Sequence, residues 1–338
     1  MPSDTLRIPF DELHATLRRV LQRSGFTGER ADLCARLFAE SSRDGVSSHG
    51  LNRFPRFMQM IRSGVVDVHA QPVRVGARGG VERWDGRRGP GNLNAYAAMD
   101  RAIALSREHG VGCVALGNTN HWMRGGTYGW QAADAGAIGI CWTNTLPNMP
   151  AWGGSTPAIG NNPLVIAVPR AAGHVVLDVA MSQFSVGALT AYRTRGERLP
   201  VAGGYDMTGT LTQDPNAIEA SGRLLPIGFW KGSGLAVMLD LIATLLSGGL
   251  ATCQIPPTPE TETGLSQMFI AFDAGSLASA GAAPLVDRVV DHLHASARGG
   301  ETITYPGERT LATRRQNIEL GVPVDSQIWE TVLTVAGE

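Results

Sequence analysis

Residues 91–116 read G-N-L-N-A-Y-A-A-M-D-R-A-I-A-L-S-R-E-H-G-V-G-C-V-A-L, and the hydrophobic period changes part-way through. Over residues 93–109 the apolar side chains recur at helical spacing and stop at Gly110. Residues 111–116 are a short apolar run of strand length. A helix running straight into a buried strand is the repeating unit of an α/β protein, so the middle of the chain is expected to be an α/β domain.

The alternation continues downstream. A helix is expected over 126–135, with strands over 138–143, 163–168 and 175–179. Leu235, Met238, Leu239, Ile242, Leu245 and Leu246 form one apolar stripe of a helix that ends at Gly248-Gly249. Pro256-Pro257-Thr258-Pro259 reads as a surface loop. A strand over 267–272, a helix over 284–297 and a strand over 302–305 follow, and two last helices, about 310–320 and 325–335, return to the N-terminal part.

Upstream the pattern is helical. Leu13, Leu17, Val20 and Leu21 share a face and stop at Gly25, and Cys34, Leu37 and Phe38 repeat the theme before Gly45. A third helix over 51–62 tolerates Pro55 only in its first turn and ends near Gly64. Residues 66–91, rich in Gly, Pro, Arg and Asp, read as a linker with a short strand near 81–84. The boundary between two unequal domains is expected there.

The 338 residues are 43% hydrophobic, enough to bury a large core. A formal net charge of −1 and a pI near 6.7 give no overall attraction to nucleic acid or anionic lipid, and no basic motif suggests either partner. Cys34, Cys113, Cys141 and Cys253 are far apart in apolar runs, the pattern of buried thiols in a reducing compartment. Asp4, Arg7, Asp11 and Glu12 break any signal-peptide core, and the longest apolar stretch, 235–246, contains Asp240 and is too short to span a bilayer. A soluble cytoplasmic protein is expected.

Two histidine regions carry the chemistry. In S-S-H-G-L-N-R, residues 47–53, an imidazole and a guanidinium stand four apart, and a helix starting at His49 would put both on one face. Imidazole exchanges protons near neutrality and guanidinium grips a carboxylate with two parallel hydrogen bonds, a pairing suited to a 2-keto or 2-hydroxy acid. A solvated helix face would show the same residues. The second region, N-T-N-H-W-M-R-G-G at 118–126, follows a strand directly, where α/β proteins hold ligands. A polar loop around a packed tryptophan is its plainer reading.

Neither histidine has Cys or acidic neighbours at a metal-ligand spacing, and His292 and His294 fall on an expected helix, so no metal site is expected. No G-x-G-x-x-G follows a strand: Gly125-Gly126 with Gly129, and Gly232 with Gly234, have the wrong spacing. A Rossmann site or a phosphate loop is therefore not expected. Of the 29 basic residues only Lys231 is lysine, set in W-K-G-S-G, where a compact ammonium facing a ribose or phosphate would explain the exception. Asp178 ends a strand, where it could accept from a ribose or cap the next turn.

The runs S-S-H-G-L-N-R-F-P-R-F, N-H-W-M-R-G-G-T-Y-G-W-Q-A-A, I-G-I-C-W-T-N and W-K-G-S-G strongly resemble the malate/L-lactate dehydrogenase superfamily that lacks a Rossmann fold, in the same order along nearly the whole chain. The resemblance implies a non-Rossmann nicotinamide-binding α/β domain, residues 73–305, with a helical domain built from both chain ends, residues 1–72 and 306–338. It implies a cytoplasmic homodimer that reduces a 2-keto sugar acid with NADH, NADPH being the second choice. A malate- or lactate-type dehydrogenase, a ureido-acid or imino-acid enzyme, and a non-catalytic nucleotide binder are the alternatives.

By the same resemblance His49 is the proton donor, and Arg53 and His121 face the substrate. The cofactor contacts fall on His174, Val175, Val176, Leu177, Asp178, Val179 and Ala180, on Trp230 and Lys231, and on Gly307, Glu308 and Arg309. Two places depart from the family pattern: Glu308-Arg309 after Gly307, and the loop 146–151, a candidate border of the substrate site.

Overall fold

Strand β1 (Thr5–Ile8) leads into α1 (Phe10–Arg23), whose Leu13, Leu17, Val20 and Leu21 are fully buried against α2 (Gly28–Arg43). The computed structural model describes residues 5–277, 282–298 and 301–336. The helix expected over 51–62 starts later, and His49 does not open it. Two single 3-10 turns, Ser47–His49 and Leu51–Arg53, are separated by Gly50, and α3 (Phe54–Arg62) starts only after them, with Pro55 in its first turn. Ser42 on α2 is the cause: its hydroxyl accepts from Leu51 N at 2.8 Å, and a Cβ at residue 50 would lie 2.2 Å from that oxygen. Only glycine lets the backbone pass so close.

Residues 66–91 are more than a linker. Strands β2 (Val73–Arg78) and β3 (Val81–Asp85) form a hairpin, and α4 (Gly91–His109) then carries the chain to β4 (Val111–Thr119), parallel to β3. Most β2 side chains are exposed, so no apolar alternation marks the strand. Next come α5 (Gly126–Asp134), β5 (Ile138–Thr143), the small pair β6 (Met149–Pro150) and β7 (Pro157–Ile159), then β8 (Leu164–Val168) and β9 (Val175–Val179). Helix α6 (Val186–Thr194), the pair β10 (Gly204–Tyr205) and β11 (Leu211–Thr212), α7 (Pro215–Ser221) and α8 (Trp230–Ser247) precede β12 (Leu265–Phe272). The chain closes with α9 (Ala274–Leu277), α10 (Ala282–Ala295), α11 (Glu308–Leu320), β13 (Val322–Asp325) and α12 (Ser326–Ala336).

Seven of the described strands make one sheet in the order β2-β3-β4-β12-β5-β8-β9, with every neighbouring pair antiparallel except β3 and β4. Alternation along the strands sends Val114, Leu116 and Phe269 to one face, under α4 and α5, and Ala115, Met268 and Trp142 to the other, under α6 and α8. A separate core joins α1, α2 and α3 to Val322, Val324, Trp329 and Val332 from the far end of the chain. There β1 pairs antiparallel with β13, Thr5 opposite Asp325.

Helix α8 inverts the expected amphipathicity. Its small side chains, Gly232, Ser233, Ala236, Ala243 and Ser247, lie against the sheet with Leu239, while Leu235, Met238, Ile242, Leu245 and Leu246 point outward. The approach to β4 is too close for large residues, since a Cβ at Gly117 would lie 2.9 Å from Ser247 O. With 18 residues and a mean hydropathy of 1.2, α8 also passes the length and composition test for a membrane span, which the stretch 235–246 alone was expected to fail.

Two further expectations are corrected. No strand forms over 302–305: Tyr305 N donates to Glu308 Oε2 at 3.0 Å, and Pro306 O accepts from Val176 N at 2.8 Å, so the segment is a loop pinned to β9. Cys253 is exposed, whereas Cys34 and Cys141 are buried and Cys113 is half-buried.

Candidate active site

His49 ends the first 3-10 turn and His121 lies in the loop between β4 and α5, and the fold stacks their rings 5.7 Å apart at 17°. His121 Nδ1 accepts from Met123 N at 3.0 Å, which leaves Nε2 as the protonated nitrogen of its neutral ring. Met123 adopts φ +65° to make this contact, a conformation that non-glycine side chains disfavour and that the loop enforces. His49 Nδ1 lies 3.1 Å from Ser48 Oγ.

Burial, with the Arg53 and Arg124 cations, pushes the His49 imidazole down to about 4. Burial and Arg53 push His121 down as well. The two rings are therefore neutral in the free protein at pH 7. Arg53, 19% exposed, makes no side-chain hydrogen bond among the described residues. Its Nη2 lies 4.0 Å from Glu262 Oε2. A cation with free donors beside two imidazoles is a receptor for a small carboxylate.

Behind this group stands a carboxylate that sequence reasoning missed. Asp44, its side chain 2% exposed, accepts from Arg124 Nη1 at 2.6 Å, from Arg314 Nε and Nη2 at 2.8 and 2.7 Å, and from Arg43 Nε at 2.9 Å. Despite its burial these arginines hold its carboxyl down at about 2. Arg124 belongs to the N-H-W-M-R-G-G run, so its position was visible in the sequence. Its partner Asp44, 80 residues away, carried no signal.

The expected cofactor segments meet along the edge of the sheet. Residues 174–180 are the edge strand β9 and its flanks, and residues 307–309 dock beside it through the Val176 to Pro306 hydrogen bond. Gly307, at φ +96°, fits there because a Cβ would lie 3.2 Å from Val176 N. Past Ala180, Ile227 N donates to Met181 O at 2.8 Å, which brings the start of α8 alongside. Trp230 is 66% exposed, and no described residue pairs with the Lys231 ammonium.

Asp178 has a structural partner in the next layer. Its side chain is open to solvent on one side, and Oδ2 accepts from Gly126 N at 2.7 Å, so it anchors the N-terminus of α5 rather than the turn after its own strand. Surrounding protein raises its carboxyl above the ordinary value, against the pull of Arg124 and Gly126 N. His174 is turned to Asp134 at 3.0 Å and Glu308 to His294 at 3.0 Å, so both are engaged within the protein. Arg309 donates to Thr304 Oγ1 at 3.2 Å.

The fold brings His49, Arg53 and His121 together. Among the described contacts none links Lys231 to them. A cavity of about 600 Å³ opens between α2, α4, α5 and α11, lined by Arg36, Tyr96, Arg107, Trp130 and Arg314. It shares Arg124 and Asp44 with the support of the site but excludes His49 and Arg53, so the histidine cluster is the better candidate for chemistry.

The family model described as malate/L-lactate dehydrogenase matches residues 8–333. The chain belongs to the malate/L-lactate dehydrogenase family. This family member is 44% identical over 330 residues to 2,3-diketo-L-gulonate reductase of Escherichia coli K12, a match covering 97% of this chain and 99% of that protein. Among solved structures it superposes on malate dehydrogenase from Pyrococcus horikoshii OT3 at TM-score 0.90 and 27% identity, covering 100% and 97% of the two chains. It superposes on δ1-piperideine-2-carboxylate reductase from Pseudomonas syringae at 0.88 and 28%, covering 98% and 99%.

Membership makes the protein a dehydrogenase or reductase of small hydroxy or keto acids that uses a nicotinamide cofactor. The residues present suit that cofactor. Beyond the Val176 to Pro306 bond the outer edge of β9 has no strand partner among the described residues, Lys231 offers an unpaired cation for phosphate, and Trp230 offers an open ring face.

Proposed function

We propose that the protein is an NADH-dependent reductase of a 2-keto sugar acid, converting 2,3-diketo-L-gulonate to 3-keto-L-gulonate. The 44% identity to 2,3-diketo-L-gulonate reductase across 97% of the chain supports this reading, together with the packing of His49, His121 and Arg53 into one cluster. The cofactor is held by residues 174–180, by Trp230 and Lys231, and by residues 307–309.

Bound reduced nicotinamide supplies the hydride that adds to the substrate carbonyl carbon. Arg53 holds the substrate carboxylate through its free donors, and His121 lines the same side. Protonated His49 gives its proton to the carbonyl oxygen as that oxygen takes up the electron pair of the C=O bond, leaving a hydroxyl and a neutral imidazole. The carboxylate also loads the donor: by neutralising Arg53 it removes one of the charges that hold His49 down at about 4.

The test is initial-rate oxidation of NADH and of NADPH with 2,3-diketo-L-gulonate, pyruvate and oxaloacetate in turn. Rapid turnover of the diketo sugar acid with NADH is expected, and turnover confined to the other acids would move the assignment elsewhere in the family. His49→Ala is expected to lower kcat by about 10²- to 10⁴-fold, the usual contribution of a placed general acid, with NADH affinity retained. Near-normal turnover in that variant would remove His49 from the donor role.

The working form is proposed to be a cytoplasmic homodimer. Support comes from the outward apolar stripe of α8, which starts at the cofactor residue Trp230 and includes Leu245 at 78% exposure, a face suited to an identical stripe on a second copy. Free thiols, with no disulfide among the described residues, fit the reducing compartment where nicotinamide-linked metabolism runs.

A further inference from the structure

The loop between α8 and β12 is tied by two ion pairs to the 3-10 turn Leu51–Arg53 and to the start of α3. Glu260 Oε1 lies 3.6 Å from Arg56 Nη2, both partly open to water, and Glu262 Oε2 lies 4.0 Å from Arg53 Nη2. The two pairs differ in kind. An exposed pair such as Arg56 with Glu260 contributes little. The Glu262 side chain is only 4% exposed, and its other oxygen, Oε1, accepts from Leu146 N at 3.1 Å, in the loop before β6. One enclosed carboxylate thus touches the loop before β6 with one oxygen and faces the substrate-side arginine with the other.

The separation of 4.0 Å is informative. It is close enough for Coulomb attraction and too long for a hydrogen bond, so Glu262 steers the guanidinium without using up its donors. A hydrogen-bonded carboxylate would compete with the substrate for the same fork. With no partner at all, a flexible arginine would sample several rotamers and lose entropy each time a ligand bound. We propose that Glu262 is a positioning residue, which holds Arg53 in the orientation that receives the substrate carboxylate and couples that orientation to the loop at Leu146.

This inference rests on the role proposed for Arg53, so its test includes a readout that does not require turnover. Oxalate serves as a small carboxylate probe, with its Kd measured by calorimetry on the full-length protein, beside kcat and KM for whichever keto acid is reduced. Glu262→Gln keeps the size of the side chain and its acceptor for Leu146 N but removes the charge. The oxalate Kd and the keto-acid KM are expected to rise about tenfold, equivalent to ~1.4 kcal/mol, while kcat changes less than about twofold. Glu262→Asp keeps the charge and is expected to recover most of the loss.

An oxalate affinity in Glu262→Gln that is unchanged, or tighter because a competing negative charge has gone, overturns the proposal. So does a Glu262→Asp protein as weak as Glu262→Gln, since restoring the charge would then fail to restore the affinity. Should Glu262→Gln fail to fold, Glu262→Asp decides alone: an oxalate Kd within about threefold of the parent supports the proposal and a tenfold loss, ~1.4 kcal/mol, refutes it. A parent protein that binds oxalate but reduces no keto acid would count against the proposed reaction and leave the affinity comparison standing.

Discussion

His49, the proposed proton donor, is neutral at rest. His49 sits at about 4 because burial and two arginines oppose its charge, so little imidazolium exists at pH 7 before a substrate arrives. A carboxylate on Arg53 would cancel one of those charges, and the pKa is expected to rise in part, since burial, the larger cause, remains. Calorimetric titration with oxalate at about pH 5.5, in buffers of different ionisation enthalpy, is therefore expected to show net proton uptake, because that pH lies between the free and unperturbed values. Binding without uptake would mean that the Arg53 charge does not control His49. Arg53→Lys keeps the charge but loses the planar fork, so it is expected to raise KM for the keto acid with a smaller change in kcat. An unaltered KM would return Arg53 to a structural role.

At the scale of elements, what the sequence made legible follows from which patterns have a single physical cause. Strand β9 matches its expected bounds, 175–179, because a short apolar run between turns has one good solution. Helix α8 is legible as a helix while the direction of its stripe is not: periodicity marks an apolar stripe without saying whether a core or a partner covers it. Strand β2 was missed because its side chains face water, and the turn at Gly50 was read as helix because only the packing of Ser42 breaks it. In the site, His49, Arg53 and His121 could be nominated from residue chemistry and resemblance. Asp44 and Glu262 could not, since each works through partners distant in sequence.

Asp44 also sets the strength of a junction between elements. It is the C-terminal cap of α2, where the helix dipole disfavours a negative charge, and it is tolerated because Arg124 from the β4–α5 loop and Arg314 from α11 converge on it. Asp44→Asn leaves buried cations uncompensated and is expected to cost about 3 kcal/mol in urea unfolding. The pH dependence has a definite sign. The folded carboxyl lies at about 2, below the ordinary 3.8, so its stabilisation is complete above 3.8 and is lost as the pH falls from there through about 2. The variant should lose that acid-dependent component. An unchanged urea midpoint would show that the arginines find other partners.

For the whole molecule, the outward stripe of α8 would link the proposed assembly to the proposed cofactor site, because Trp230 and Lys231 form its first turn. Leu245→Arg places a charge where a second copy would pack and is expected to give a monomer in sedimentation equilibrium, with weakened NADH binding. A dimer that survives this change would direct the search to another face. The antiparallel pairing of β1 with β13 has a different kind of consequence, in time rather than in space. Ile8, Leu13 and Phe57 finish their packing on Val322, Trp329 and Val332, residues that leave the ribosome about 300 positions later. At about 5–20 residues per second, the first helices wait tens of seconds for their missing wall. The seven-stranded sheet can form during that wait, so the core of the helical unit is completed after the sheet although its first helices are made before it.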